Sequence, residues 1–178
     1  MQKDTVGLAQ DLLGKVLVYE VGGGKISGRI IETESYLKDD EASHSFCGKT
    51  ERNAAMFEEA GTVYVYFIYG NHYCLNIVSC GEGIGEAVLI RALEPVSGID
   101  IMKKNRGVEN ERLLCNGPGK LTQAFGIDRD FNGHKIWHKP LYIIEEKKNN
   151  ETYSVSAVKR IGIRKNSEAL LRFVLQKK

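Results

Sequence analysis

The stretch from Thr62 to Cys80, TVYVYFIYGNHYCLNIVSC, decides the fold. It holds two runs rich in β-branched and aromatic residues, a composition typical of strands, on either side of Gly70-Asn71. Because Gly and Asn tolerate positive φ, this dipeptide favours a tight hairpin turn. We therefore predict a β-hairpin that turns at Gly70-Asn71.

Alternation along the first run of this hairpin divides its side chains between two faces. One face carries Tyr64, Tyr66 and Ile68, and the other carries Val65, Phe67 and Tyr69. Packing in the core is the ordinary explanation for Tyr64 and Tyr66. Tyr69 stands directly before the turn, where a ring packs little against the core. We therefore expect it to protrude and to contact a binding partner.

Upstream of this hairpin, the sequence predicts a helix and a second hairpin. Asp4 is placed to cap a short helix that Gly14 ends, with an apolar stripe of Val6, Leu8, Leu12 and Leu13. The runs KVLVYEV (15–21) and KISGRIIETESY (25–36), joined by glycines 22–24, predict a hairpin with a long second strand. Residues 37–50 predict a loop, and residues 51–60 predict a short helix closed by Gly61.

Downstream, the run EAVLIRALEPV (86–96) predicts a strand ended by Pro95, which cannot donate to a ladder. Residues 99–105 and 117–125 predict helices, the second capped by Asn116. Residues 134–164 predict further strands, followed by a basic tail. The fold class is therefore α+β: a single domain of residues 1–178, with a largely antiparallel curved β-sheet, surrounding helices and a protruding hairpin.

Length and composition set further limits on function. The chain has 178 residues, 42% hydrophobic and 27% charged, with a net charge of +2, which is ordinary for a globular protein. No apolar run approaches the roughly 20 residues of a membrane span, and no signal peptide precedes the first strand, so we expect a cytoplasmic protein without membrane partners. Basic residues concentrate from Lys135 onward, where they could either steer a polyanion or form a solvated face.

The cysteines and histidines do not have the spacing of metal ligands. We expect Cys74 and Cys80 to be buried reduced thiols, and we expect neither a metal nor another cofactor.

Two carboxylates lie in an apolar strand, where burial is costly unless they are paired, bonded or used. Alternation places Ile30, Glu32, Glu34 and Tyr36 on one face. A salt-bridged surface is the ordinary explanation. A carboxylate beside an aromatic wall is also a plausible general base.

Several collinear blocks resemble the 3-methyladenine (alkyladenine) DNA glycosylases, from about Leu8 to Asn132. The blocks are GRIIETESY (28–36), DDEASHS (39–45), ERNAAMF (51–57), GTVYVYFIYGNHYCLN (61–76), VLIRALEP (88–95) and LCNGPGKLTQAFGI (114–127). The resemblance implies a DNA repair glycosylase that acts on double-stranded DNA containing damaged purines, with a hairpin that inserts into the DNA. It implies a monomer, associated with the nucleoid, that flips alkylated or deaminated purines of the 3-methyladenine and hypoxanthine type and leaves an abasic site.

The resemblance also implies a role for each matching residue. Glu34 activates the attacking water, and Arg91 helps to place the base and the water. The pocket for the extruded base is formed by Tyr36, His44, Tyr66 and Asn76. Tyr69 intercalates into the DNA, and Arg52 and Lys120 are candidates for phosphate contact. Glu32 is left with a structural role. Because no lysine that could form an imine stands beside Glu34 in the sequence, we expect hydrolysis without strand cleavage.

Two departures from the family pattern concern the pocket and the DNA gap. The loop between Tyr36 and His44 is one residue shorter than in mammalian members, which leaves the backbone contact of His44 open. Asn71 and His72 replace larger apolar and aromatic residues after the intercalating tyrosine.

Two alternatives to the glycosylase remain. A damaged-base binding protein without turnover would use the same pocket. A carbohydrate hydrolase would use Glu32 and Glu34 as a pair, which lie about 6.5–7 Å apart along the strand, but it would leave the protruding tyrosine unexplained.

Overall fold

The computed structural model describes residues 4–68, 70, 72–145 and 152–178. Its helices are α1 (Thr5–Leu12), α2 (Ile99–Arg106) and α3 (Pro118–Phe125). Its strands are β1 (Val16–Val21), β2 (Gly24–Tyr36), β3 (Val63–Ile68), β4 (His72–Val78), β5 (Ala87–Ser97), β6 (Leu141–Ile144), β7 (Tyr153–Val158) and β8 (Arg172–Lys177).

All eight strands belong to one sheet, and every pairing between them is antiparallel. The order is β3-β4-β5-β2-β1-β6, and β8 pairs with both β2 and β7. Along β2, residues 24–29 pair with β1 and residues 32–34 pair with β8. The α+β fold class and the antiparallel sheet are confirmed, and so is the β1–β2 hairpin. β3 and β4 pair antiparallel as predicted, but the protrusion of a hairpin between them stays a prediction.

The sheet has an apolar face and a face that carries the site. On the apolar face, strand residues such as Leu75 and Ile90 pack with Met102 of α2 and Phe125 of α3, and all four are at most 1% exposed. Alternation along β3 directs Val63 and Val65 to this core, whereas Tyr64 and Tyr66 line a cavity on the other face. The helices therefore cover one face and leave the other free for a ligand.

The prediction that Ile30 shares a face with Glu34 is wrong. The register between β2 and β5 shifts between Ile30 and Glu32 and again between Glu32 and Thr33. Such an irregularity inserts an unpaired residue and turns the strand. Ile30 consequently lies in the apolar core, while Glu34 lies at the cavity.

Helix predictions are confirmed for α1, α2 and α3 but differ in detail. Asp4 caps α1 by accepting from the Gly7 N–H at 2.6 Å, as predicted. The fully buried side chains of α1 are Thr5, Ala9 and Leu12, whereas Val6, Leu8 and Leu13 of the predicted stripe pack partly buried against the same core. Asn116 does not cap α3, because its side chain accepts instead from Lys120 Nζ at 2.8 Å.

The predicted helix over residues 51–60 is wrong, because only Ala54–Phe57 forms a 3₁₀ helix. The side chain of Asn53 donates to the carbonyls of His44 and Gly48 and ties this segment to the preceding loop. Hydrogen bonds of this kind compete with a regular helix.

Pro95 does not end β5, which continues to Ser97. Pro95 pairs with Gly28 of β2, whereas β4 pairs only with residues 87–89, so no second neighbour needs the missing N–H.

The predicted basic tail is instead partly strand, because β8 pairs with the centre of β2. β6 and β7 confirm the strands predicted within residues 134–164.

Candidate active site

A cavity of about 440 Å³ opens on the face of the sheet opposite the helices. Strands β2, β3, β4 and β5 form its floor. Loop residues 42, 44, 117 and 161–163 and the first turn of α3, residues 118–120, form its sides. Ligand sites in proteins typically have volumes of about 300–1,000 Å³. The cavity therefore has room for a small ligand.

Glu34 of β2 lies in the wall of this cavity with no exposed surface. Its Oε2 accepts from the Tyr36 hydroxyl at 2.9 Å, and its Oε1 accepts from the Ile161 N–H at 3.1 Å. Arg91 Nη1 lies 3.3 Å from the same Oε1. Because a carboxylate has about four acceptor positions, these three partners leave capacity for a water molecule.

Glu32, two residues earlier, contacts two arginines. Its Oε2 accepts from Arg172 Nη1 at 2.9 Å and lies 3.7 Å from Arg91 Nε. Arg91 thus bridges the two carboxylates, and Arg172 balances the charge of Glu32.

Tyr36 lies between the carboxylate of Glu34 and a buried cation. The guanidinium of Arg160 lies 4.7 Å from the centre of the Tyr36 ring. Burial, with the negative charge of Glu34 next in importance, raises the pKa of Tyr36 well above its usual range. Its hydroxyl therefore stays protonated and donates to Glu34.

His44, Tyr64 and Tyr66 form an aromatic cluster on another wall. His44 Nδ1 lies 3.0 Å from the Tyr64 hydroxyl, and the His44 and Tyr66 rings meet edge to face at 4.4 Å between centroids. Burial raises the pKa of Tyr64 to about 12. Burial and the nearby Arg52 lower the pKa of His44, so the imidazole is neutral at pH 7.

Asn76 and Cys74 of β4 complete the floor. Asn76 is 4% exposed, and its Nδ2 donates to the Tyr64 carbonyl at 3.0 Å. Burial raises the pKa of the Cys74 thiol, which is therefore uncharged. Cys74 is a buried free thiol as predicted, whereas Cys80 is free but only partly buried.

The residues predicted to contact DNA lie around this cavity or outside the described residues. Lys120 lines the cavity, although its ammonium donates to Asn116. Arg52 is exposed, with Nη2 3.5 Å from the Phe67 carbonyl. Tyr69 and Asn71, which stand between β3 and β4 in the sequence, lie outside the described residues.

The structure therefore brings together seven of the predicted residues, namely Glu34, Tyr36, His44, Tyr66, Asn76, Arg91 and Lys120. Sequence reasoning missed the contribution of the C-terminal segment, since Arg160, Ile161 and Arg172 all contact site residues. The one available signal was the cluster of basic residues after Lys135. It gave no indication that Arg160 is buried.

Residues 4–68, 70, 72–145 and 152–178 contain no group of three or more His, Cys, Asp or Glu side chains that could hold a metal ion. Among the helices of these ranges, none is long and apolar enough to cross a membrane.

The fold is that of a domain with a ligand-sized cavity in one face of an antiparallel sheet, and a buried carboxylate lies in the cavity wall. The family model for methylpurine-DNA glycosylase matches residues 1–178, and the chain belongs to this family. It is therefore a DNA glycosylase, a DNA repair enzyme that hydrolyses the N-glycosyl bond of methylated purines in DNA.

Curated relatives carry a corresponding name, "Putative 3-methyladenine DNA glycosylase". The relative from Methanoculleus marisnigri is 48% identical, over 98% of this chain and 92% of its own length. Those from Mesorhizobium japonicum and Carboxydothermus hydrogenoformans are 47% and 45% identical, over 97% and 98% of this chain and 83% and 91% of their own lengths.

Proposed function

We propose that this enzyme flips a damaged purine into the cavity and hydrolyses its N-glycosidic bond with a water activated by Glu34. The observation that carries the proposal is the fully buried carboxylate of Glu34 in the cavity wall, bonded to Tyr36 and facing Arg91. The proposed substrates are alkylated and deaminated purines, of the 3-methyladenine and hypoxanthine types.

Flipping is required because the glycosidic carbon is inaccessible inside a duplex. Tyr36 and Tyr66 both line the cavity, and aromatic stacking contributes about 1–3 kcal/mol per base. Tyr69, next to the turn at Gly70, is the proposed wedge that fills the vacated stack, as in other minor-groove proteins. Arg52 and Lys120 are the proposed phosphate contacts.

In the proposed reaction, the water oxygen bonds to C1′ of the deoxyribose as the bond from C1′ to the purine nitrogen breaks. The electron pair of that bond leaves with the base, and a proton of the water passes to Glu34. The sugar resembles an oxocarbenium ion in the transition state, which a nearby carboxylate stabilises. A cationic alkylated purine departs neutral and is a good leaving group, so one carboxylate suffices for it. Hypoxanthine departs as an anion, which takes up a proton from water.

The test is Glu34→Gln in single-turnover excision from a duplex with one hypoxanthine or one alkylated adenine. We expect lesion binding to persist while excision falls by a factor on the order of 10²–10⁴, typical of a lost general base. Glu32→Gln is the matched control, because it removes a carboxylate from the same strand. Its main effect should be a lower free energy of unfolding, with a smaller effect on the excision rate.

Excision by Glu34→Gln within threefold of wild type would refute the role of Glu34. A greater loss of excision in Glu32→Gln would exchange the two roles. Tight binding of the lesion by the wild-type enzyme without any abasic product would favour the binding protein without turnover.

A further inference from the structure

A buried ion pair joins the two loops beside the cavity. Arg160 Nη1 donates to Asp40 Oδ2, and the two side chains are 0% and 2% exposed. The same nitrogen donates to the Ser35 carbonyl at 3.0 Å, and Nη2 donates to the Asn166 carbonyl at 3.4 Å. Asp40 Oδ1 accepts in turn from Asn166 Nδ2 at 3.0 Å. The pair is thus tied to β2 and to both loops.

The two loops lie far apart in the sequence. Asp40 belongs to the loop after β2, which also carries His44, and Arg160 belongs to the loop between β7 and β8. No backbone hydrogen bond joins the described residues of one loop to those of the other, so side-chain bonds link them directly. Burial alone would raise the pKa of Asp40, but hydrogen bonds from Arg160 and Asn166 outweigh it and lower the pKa. The pair is consequently ionised at neutral pH.

Two of the three partners of Glu34, namely Ile161 and Tyr36, depend on the position of Arg160. Ile161, its chain neighbour, donates its N–H to Glu34 Oε1 at 3.1 Å. The Tyr36 ring, whose hydroxyl donates to Glu34 Oε2, lies under the Arg160 guanidinium at 4.7 Å. A shift of Arg160 would therefore displace two of the three partners of the carboxylate.

The ion pair is not an efficient source of stability. Removing two charges from water costs several kcal/mol per ion, and apolar replacements of similar volume are often equally stable. Arg160 Nε is in addition buried without a hydrogen-bond partner among the described residues, which adds to the cost. What an apolar pair would not supply is the fixed bonding geometry of a guanidinium.

We propose that the buried Arg160–Asp40 pair is a positioning device for base excision, which fixes the Ile161 N–H on Glu34 and the plane of the Tyr36 ring. Arg160 is thus a positioning residue and acts through Ile161 and Tyr36. The inference rests on the proposed role of Glu34. Because misplacement by about 1 Å can cost 10²-fold in rate, loss of the pair should slow excision in enzyme that remains folded.

The test uses the full chain and a duplex with a single hypoxanthine. The double variant Arg160→Met with Asp40→Leu removes both charges together, so neither is left buried and unpaired. Arg160→Lys keeps the charge but loses the planar fork. The matched control is Lys165→Met with Glu41→Gln, an exposed pair at 3.5 Å that joins the same two loops. The readout is the single-turnover rate constant at saturating enzyme.

This rate constant separates positioning from folding. A merely structural pair would lower the melting temperature and the fraction of active enzyme, but folded enzyme bound to the lesion would react at the wild-type rate. We expect the double variant to be at least about 30-fold slower and Arg160→Lys about 10-fold slower, with the Lys165/Glu41 control within twofold of wild type. If the double variant does not fold, Arg160→Lys decides.

A rate constant within threefold of wild type in the deciding variant overturns the inference, and so does an equal loss in the Lys165/Glu41 control. Glu34→Gln is measured in parallel to distinguish two failures. If Glu34→Gln loses excision while the Arg160 variants do not, only the positioning inference fails. If Glu34→Gln retains excision, the proposed function fails, and the inference fails with it.

Discussion

The hydroxyl of Tyr36 and the ring of Tyr36 have separate roles that Tyr36→Phe can divide. The substitution removes the 2.9 Å hydrogen bond to Glu34 and keeps the ring under Arg160. A hydrogen bond to a charged group contributes about 1.5–3 kcal/mol net, and the carboxylate here is fully buried. We expect the free energy of unfolding to fall by that amount. Since 1 kcal/mol shifts the melting temperature of a chain of this size by about 2–4 °C, the melting temperature should fall by several degrees.

A double-mutant cycle with Glu34→Gln tests the origin of this loss by urea denaturation at pH 7. The amide oxygen of Gln can still accept from the hydroxyl, but a bond between neutral groups contributes only about 0.5–1.5 kcal/mol. The coupling between the two substitutions should therefore be about 1 kcal/mol. A coupling near zero would show that the hydroxyl contributes as much beside the amide as beside the carboxylate, and it would refute the reasoning.

The same variant tests the stacking role of the ring. Tyr36→Phe should bind a duplex with one hypoxanthine within about threefold of wild type, because the ring remains. Tyr36→Leu should lose most of the roughly 1–3 kcal/mol that stacking contributes per base. Equal affinities of the Phe and Leu variants would remove Tyr36 from the stacking wall.

Four further predictions concern specificity, pH, insertion and the reaction class. Asn76→Ser should raise excision of alkylated guanine relative to adenine lesions, because a smaller side chain relieves the clash with a 2-amino group, and an unchanged ratio would contradict the role. The free energy of unfolding should fall below about pH 6.5, because the pKa of His44 is lower in the folded than in the unfolded state, and the unfolded state therefore takes up a proton first. In thermal melts, the stability of His44→Gln should decline less steeply with falling pH, and identical slopes would refute this. Tyr69→Ala should keep the wild-type melting temperature and lose more excision on a paired lesion than on a mismatched one, whereas equal losses would exclude a wedge. Borohydride should trap no adduct with DNA, and a trapped adduct that disappears in Lys120→Gln would identify an imine-forming amine.

The local elements of this fold could be predicted from the sequence because their signals are local. Gly70-Asn71 between two β-rich runs predicted the β3–β4 hairpin, and Asp4 predicted the start of α1. Alternation along β3 likewise placed Tyr64 and Tyr66 on one common face, and the structure shows that this face carries the cavity. The wrong predictions lie where tertiary contacts override such signals. Pro95, for example, is tolerated inside β5 because only β2 pairs with it there, so its missing N–H leaves no ladder bond unmade.

The sequence by itself determined the family and the residues of its motifs, because those motifs lie in contiguous blocks between residues 28 and 127. Only the tertiary structure decided what holds Glu34 in place. The partners of Glu34 include Arg91 from β5 and Ile161 from a loop far along the chain, and Arg160 reaches back across the fold to Asp40. Periodicity reports which face a side chain occupies within one strand, but pairing between distant segments depends on the register shift in β2 and on the return of β8. A run of basic residues has the same sequence pattern whether its charges are solvated or buried. Burial is a property of the folded chain, so only the tertiary structure could show that Arg160 is buried.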